Sequence, residues 1–223
     1  MAEKKKSVLI TGGCGFIGAN LVTMLKKRNY QVRVLDNLSV GRRENIPCYV
    51  ELVIGDIREE NLVSESVDGM DVIVHLAAHT NVVESIKQPK LDFDINVKGT
   101  FNLLQSLLIG VGGNTDVFML PPDEKGIETG HVNKFIFASS NAAVGEQNPP
   151  ITENAIPAPL SPYGASKLAC EAFCSAFSES YNIQTISLRF ANAYGPLSNH
   201  KESVVAKFFR KALKNEPITI YGD

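Results

Sequence analysis

Short apolar runs alternate along the chain with longer stretches in which apolar residues recur every three or four positions. Residues 7–11 (SVLIT), 31–36 (QVRVLD), 50–54, 71–76 (DVIVHL), 134–139 (KFIFAS) and 185–190 (TISLRF) are rich in Val, Ile, Leu and Phe. Most end on a small or polar residue, a pattern that predicts buried strands. Between them, residues 17–28, about 58–67, 91–109 and 163–181 carry apolar positions at helical spacing. This alternation predicts an α/β protein with a doubly wound parallel sheet, right-handed crossovers and ligands at the carboxyl ends of the strands. No internal repeat is visible.

Two segments interrupt the rhythm. Residues 110–131 (GVGGNTDVFMLPPDEKGIETGH) make a connection far longer than the about two to six residues usual between a helix and a strand. A loop feeding the amino end of a strand lies away from the ligand face, so a surface excursion is expected. Residues 148–162 (NPPITENAIPAPLSP) are proline-rich, which predicts an extended, stiff loop delivering the chain to Tyr163.

Of the 223 residues, 22 are Lys or Arg and 24 are Asp or Glu, giving a net charge of −2. That balance excludes nucleic-acid binding by bulk charge but leaves room for a local phosphate site. No window approaches the about 18 unbroken apolar residues of a membrane span. The opening MAEKKKSVLITGG has only Val8, Leu9 and Ile10 before a glycine run, too short for a secretory signal, and a cytoplasmic location is expected. Cys170 and Cys174 are four apart, neither a redox nor a zinc spacing; with Cys14 and Cys48 they are expected to be small buried hydrophobes. His75 and His79, in HLAAH, lack the Glu of the zinc-protease helix and follow a strand-like run, so no metal site is expected.

Directly after the first strand comes Thr11-Gly12-Gly13-Cys14-Gly15-Phe16-Ile17-Gly18. Gly12, Gly15 and Gly18 form G-x-x-G-x-x-G: one glycine for the tight turn, one where a pyrophosphate meets the backbone, one for close helix–strand packing. The next helix then aims its amino-terminal N–H groups at the phosphates. The second strand ends in Asp36, eighteen residues past Gly18, where a carboxylate accepts both ribose hydroxyls of an adenosine and repels a 2′-phosphate. NAD is therefore expected over NADP, with Arg42 and Arg43 the residues that argue the other way. Asp56, after the third strand, fits an adenine-amine acceptor with Ile57 packed on the ring; it would equally cap the next helix.

Ser161-Pro162-Tyr163-Gly164-Ala165-Ser166-Lys167 sets a phenol and an ammonium on one helix face. A phenol with its ordinary pKa of about 10 is a poor base at neutral pH. A nearby ammonium and the cationic ring of an oxidised nicotinamide both favour the phenolate. Tuned so, Tyr163 would take a hydroxyl proton while a hydride leaves the same carbon. Tyr and Lys four apart also occur by chance on exposed helices; the glycine turn upstream and the serines ending a neighbouring strand favour the catalytic reading.

TGGCGFIG, LDNLS, GDI, HLAA, NVKGTFNLL, the Ser139-Ser140 strand end, SPYGASK, LRFANAYGP and PITIYGD together resemble the extended short-chain dehydrogenase/reductases, in the nucleotide-sugar epimerase/dehydratase family. The resemblance runs from Val8 to Asp223 apart from 110–131. It implies a Rossmann-like fold, NAD as cofactor and a nucleotide-diphosphate sugar, most readily a UDP-sugar, as partner. Tyr163 is then the acid/base, Lys167 holds the nicotinamide ribose and tunes the phenol, and Ser140 bonds the reacting sugar hydroxyl. Phe16, Ile17, Asn37, Ser39, Leu76, Ala77, Ala78, Asn96 and Ser139 would line the cofactor groove, and Asn141 and Asn192 would meet the sugar nucleotide. Residues 1–190 would form the NAD-binding domain and 191–223 the start of a substrate lobe, since family members continue for roughly another third of their length. A homodimer through the helices holding Asn96 and Tyr163 is also implied.

Family members that dehydrate or decarboxylate carry an acid at the strand end, where this chain has Ser140-Asn141-Ala142. Neither Asn141 nor Ala142 can exchange a proton, which leaves chemistry that needs only hydride transfer and Tyr163. LDNLS and SPYGASK resemble the UDP-sugar 4-epimerases most closely, so inversion at C4 by transient oxidation is expected. Val144 replaces a Tyr common in the family, which bears on sugar identity. The alternatives are a nucleotide-sugar reductase or dehydrogenase with net cofactor turnover, and a truncated homologue that binds NAD without turnover. Val204, Val205, Phe208, Phe209 and Leu213 recur at helical spacing, an apolar face expected to pack on the nucleotide domain or to be shared with another copy.

Overall fold

A computed structural model describes residues 5–108, 132, 134–198 and 204–220. The expected excursion at 110–131 lies outside the described residues. Strands β1 (Ser7–Thr11), β2 (Gln31–Asp36), β3 (Glu51–Ile54), β4 (Val72–His75), β5 (Lys134–Ser140) and β6 (Gln184–Phe190) form one sheet in the order β3-β2-β1-β4-β5-β6. Every pairing is parallel. The chain thus builds outward from β1 through β2 and β3, then returns beside β1 and builds the other way. A crevice opens at that reversal, between the carboxyl ends of β1 and β4.

Side chains alternate across a strand, and β1 divides its residues between two layers accordingly. Val8 and Ile10 join Val32 and Val34 beneath Ala19 and Val22 of α1 (Phe16–Lys27). Leu9 faces the opposite way with Leu35, Ile73, Phe135 and Phe137. There they meet α2 (Glu60–Val67), α5 (Gly99–Ser106) and α6 (Pro162–Tyr181) through Val63, Leu103, Leu104, Cys170, Cys174 and Phe177. Cys14, Cys170 and Cys174 are buried as expected, whereas Cys48 is exposed.

The expected helix at 91–109 is observed as a composite. α4 (Pro89–Asp92) passes into a π-helical segment (Phe93–Lys98) and then into α5. Such widened turns gather at functional sites, and this one carries the buried Asn96. A short helix, α3 (Val82–Lys87), has no counterpart in the periodicity because six residues make less than two turns. Its signal was local: Asn81 accepts the Glu84 N–H at 3.1 Å, and Pro89 stops the chain from continuing. α6 opens on the same logic, with Ser161 accepting the Gly164 N–H at 3.1 Å and Pro162 in its first turn, and closes on Asn182 in the left-handed region. In α7 (Val204–Leu213) Ala206 is buried, but Val204, Phe209 and Leu213 of the predicted apolar face are 59 %, 63 % and 84 % exposed, so most of that face is open to solvent. Among the described residues no helix is long and apolar enough to cross a membrane.

One buried polar chain crosses the sheet beneath the crevice. The Ala77 N–H donates to Thr11 Oγ1 at 3.2 Å, and Thr11 Oγ1 lies 2.6 Å from His75 Nδ1. On the far side His75 Nε2 lies 2.9 Å from Thr100 Oγ1, whose hydroxyl donates to the Asn96 carbonyl at 2.5 Å. Thr100 has spent its proton, so the imidazole carries hydrogen on Nε2 and accepts from Thr11 on Nδ1. Burial, aided by the charge of Lys167, holds the His75 imidazole down to about 3.

That depression sets the sign of an acid response. Between about pH 6.5 and 3 the unfolded chain binds a proton here that the folded chain does not, so stability falls as pH drops. From pH 7 to 5 this residue should remove about 2 kcal/mol from the unfolding free energy. Denaturant melts at the two pH values should show a correspondingly smaller loss in His75→Gln; equal losses in both proteins would refute the assignment.

Candidate active site

The crevice is a cavity of about 520 Å³ along the carboxyl ends of the strands. At its floor, Gly12 adopts φ +68°, and a Cβ there would come within 2.7 Å of the Ala77 N. A Cβ on Gly18 would stand 2.6 Å from the Gly13 Cα and closer still to the Gly12 carbonyl. The turn therefore closes on itself and on the β4 loop through glycine surfaces. Gly15 is different: its nearest neighbour for a Cβ is the Gly12 carbonyl at 3.3 Å, so that side faces open groove. α1 starts directly after it with no side chain capping its first turn, leaving its N–H groups for a ligand.

Asp36 is 7 % exposed and forms the wall beside this turn. One carboxylate oxygen accepts the Cys14 N–H and the other the Leu38 N–H, each at 2.9 Å. Each oxygen keeps a lone pair for a hydroxyl in the groove. Arg43 donates instead to the carbonyls of Ile46, Pro47 and Cys48. Neither it nor Arg42 lines the cavity.

Asp56 and Ile57 lie at the same end. Arg58 grips the Asp56 carboxylate with two guanidinium nitrogens, at 2.8 and 2.9 Å, and Asn37 donates to it at 2.9 Å. Chiefly through Arg58, the carboxyl is held down to about 2. Asp56 does not cap α2: that position belongs to Glu59, whose own carboxylate accepts the Asp56 N–H at 3.1 Å. Phe16, Ile17, Asn37, Ser39, Leu76, Ala77 and Ala78 line the groove between the two ends.

At the other end stand Ser139, Ser140, Asn141, Tyr163, Lys167 and Asn192. Tyr163 is 9 % exposed and Lys167 4 %. The backbone N–H of Tyr163, unpaired within its own helix, donates to the buried Ser85 hydroxyl of α3 at 3.1 Å. Ser140 accepts the Ala142 N–H at 3.2 Å and lies 3.3 Å from the side-chain oxygen of Asn141, closing the turn after β5.

One sequence-based expectation needs correcting. Asn96 does not line the groove but stands behind it, 1 % exposed. Its amide oxygen accepts the His79 N–H at 2.8 Å, while its nitrogen donates to the His79 carbonyl, to Asp92 and to Ser166. It braces the β4 loop and leaves His79, whose ring nitrogen is 3.3 Å from Asp92, on the groove wall. Sequence reasoning passed over His79 because it weighed that residue only as a metal ligand. Lys167 donates to the Ala138 carbonyl at 2.9 Å and sits 4.8 Å from the centre of the Phe137 ring, against 5.8 Å for Tyr163. Burial drives the Tyr163 phenol above its ordinary value, and the Ser140 hydroxyl pulls it only part of the way back. Burial also brings Lys167 down to about 8. Burial is the largest influence on the phenol, and the negative charge of Asp92 acts in the same direction.

A further element had no sequence signal. Glu171, two turns beyond Tyr163 on α6, accepts the Ser139 hydroxyl and a two-pronged contact from Arg189, the closest at 2.7 Å. Its partners belong to strands whose neighbourhood only the fold reveals.

A family profile described as the NAD dependent epimerase/dehydratase family matches residues 8–223. The UDP-glucose 4-epimerase of Halalkalibacterium halodurans is 34 % identical over 97 % of this chain and 62 % of its own length. A crystal structure of the Thermus thermophilus UDP-glucose 4-epimerase with NAD superposes with a TM-score of 0.80 at 36 % identity, covering 96 % of this chain and 65 % of that one. The UDP-N-acetylglucosamine 4-epimerase of Methanobrevibacter ruminantium, solved with UDP-N-acetylmuramic acid, gives 0.83 at 30 % identity, covering 99 % and 67 %. The chain thus spans about two thirds of the length of these relatives.

The two glycine environments separate packing from ligand approach. Gly18→Ala should cost about 1–3 kcal/mol in a denaturant melt, because backbone must move to admit the methyl group. Gly15→Ala should melt within about 1 kcal/mol of the parent yet weaken NAD at least about tenfold by calorimetry, since its Cβ enters the open groove. Unchanged NAD affinity in Gly15→Ala would place the ligand elsewhere.

Proposed function

The chain belongs to the NAD dependent epimerase/dehydratase family, and from that premise we propose that it holds NAD in this groove and works as a nucleotide-sugar 4-epimerase, with a UDP-hexose as substrate. The observation that carries the reading is the convergence on one cavity of the glycine turn, Asp36, and the group Ser140, Tyr163 and Lys167. The dinucleotide fits the residues present: Gly15 leaves room for a pyrophosphate, α1 offers N–H groups, and Asp36 has acceptor capacity for ribose hydroxyls.

NAD⁺ bound there supplies a hydride acceptor that can hand the same hydride back. Ser140 orients the C4 hydroxyl of the sugar, and Tyr163 removes its proton as the C4–H bond breaks, leaving a ketone at C4. The ketone then presents its opposite face, C4 regains a hydride, and Tyr163 returns the proton to the oxygen. Atoms and electrons balance with no net cofactor change. Lys167 fixes the geometry from behind, through Ala138, and contributes positive charge while it stays protonated, below about pH 8. Asn141 and Ala142, which follow Ser140, offer no group able to protonate a departing hydroxyl, which favours epimerisation over dehydration.

The test is to incubate the chain with UDP-galactose without added cofactor and follow UDP-glucose by chromatography. Interconversion without net NADH is expected, and Tyr163→Phe should slow it at least about a hundredfold while NAD affinity stays within about threefold. A Tyr163→Phe protein retaining most of its rate would overturn the role of the phenol. NAD binding without turnover in the parent would reduce the reading to cofactor binding.

A further inference from the structure

Tyr163, Lys167 and Glu171 occupy positions i, i+4 and i+8 of α6, one continuous stripe facing the carboxyl end of β5. Opposite it lie three successive strand residues. Lys167 donates to the Ala138 carbonyl and Glu171 accepts the Ser139 hydroxyl, while Ser140 lines the same cavity as Tyr163. The two hydrogen bonds set how the helix lies on the strand.

Of the two, the Glu171 contact is the more constrained. Ser139 and Arg189 are register partners across β5 and β6, and Glu171 reaches both from above. One carboxylate oxygen takes the Ser139 hydroxyl and the Arg189 Nε at 2.9 Å; the other takes the Arg189 terminal nitrogen at 2.7 Å. The pair is mostly enclosed, with side chains 12 % and 27 % exposed. A planar fork on a planar carboxylate fixes angle as well as distance. Three elements are locked at one point: α6, the end of β5, and β6 at the sheet's edge.

We propose that Glu171, held by Arg189, is a positioning residue that seats the end of β5 against α6 and so sets where the Ser140 hydroxyl stands relative to the Tyr163 phenol. The proposal rests on the acid/base reading of Tyr163 given above, but its test does not require turnover. Glu171 does not itself line the groove, so it acts through the strand it holds.

The phenol itself is the reporter. In the full chain carrying isotope-labelled tyrosine, NMR titration with Tyr163→Phe as the blank isolates its ionisation from that of the other tyrosines. Glu171→Ala should move the Tyr163 titration upward, because the Ser140 hydroxyl is what draws it down. Glu171→Gln, which keeps a partner for Ser139 but loses the charge pair, should restore most of the parental value. Where turnover is measurable, Glu171→Ala should lower kcat about tenfold or more with KM and NAD affinity within about threefold. If Glu171→Ala does not fold, Ser139→Ala removes one contact of the clamp and should shift the phenol in the same direction. A lower melting temperature with an unmoved phenol titration in whichever variant folds would show that the clamp only stabilises, and would overturn the proposal. A shifted phenol in a chain that turns over no sugar would uphold the proposal and count against the epimerase reading alone.

Discussion

A buried ammonium reaching a strand carbonyl governs the geometry of the Tyr163 end of the groove. Lys167 is 4 % exposed and its contact with Ala138 is 2.9 Å, so an ion that would rather be hydrated is kept inside against one fixed acceptor. The arrangement persists because α6 has nowhere else to lie. Its inner face carries Cys170, Cys174 and Phe177 into the main core, and its amino end is tied to α3 through Ser85. The packing that holds the helix down also delivers Tyr163 to the strand end. The cost of burying the lysine is visible in its pKa, brought to about 8.

The opposite wall depends on missing side chains rather than on bonds. Gly12 and Gly18 let a loop, a helix and the β4 turn approach to distances that no Cβ would allow. Asp36 then binds the loop from the side through the Cys14 N–H. The Thr11–His75–Thr100 chain joins this wall to the π-helical segment on the other side of the sheet, and from there Asn96 braces the β4 loop. The two walls are therefore one hydrogen-bonded frame, and a change at Asn96 acts on the groove although that residue does not line it.

What was readable from the chain follows from how local each signal is. β1, the glycine turn and Asp36 are separated by a fixed strand–helix–strand distance, so their spacing alone specified a cradle. Ser140 and Tyr163 belong to separate elements, a strand end and a helix start, and the particular role expected of Ser140 came from the resemblance to a known family. Asn96 was legible as important and misplaced, because sequence conveys that a polar residue sits on a helix but not that a π turn buries it behind a loop. His79 and Glu171 escaped because their partners, Asp92, Ser139 and Arg189, lie thirteen to thirty-two residues away. Position i+4 brought the Lys167 ammonium to 5.8 Å from the centre of the Tyr163 ring, but how strongly burial desolvates the phenol is a property of the folded site that spacing does not convey.

Burial acts on both members of the Tyr163–Lys167 pair. Tyr163 and Lys167 are both shifted toward their neutral forms, the phenol up and the ammonium down, by burial. A site built this way resists charge separation until something in the groove repays the desolvation. Positive charge arriving beside Tyr163 lowers the phenol, and a hydroxyl arriving beside Ser140 adds a hydrogen bond to the ionised form. Each effect requires an occupied cavity. On the proposed acid/base role, the frame that positions Tyr163 would thus favour proton removal where a ligand stands ready to lose the proton.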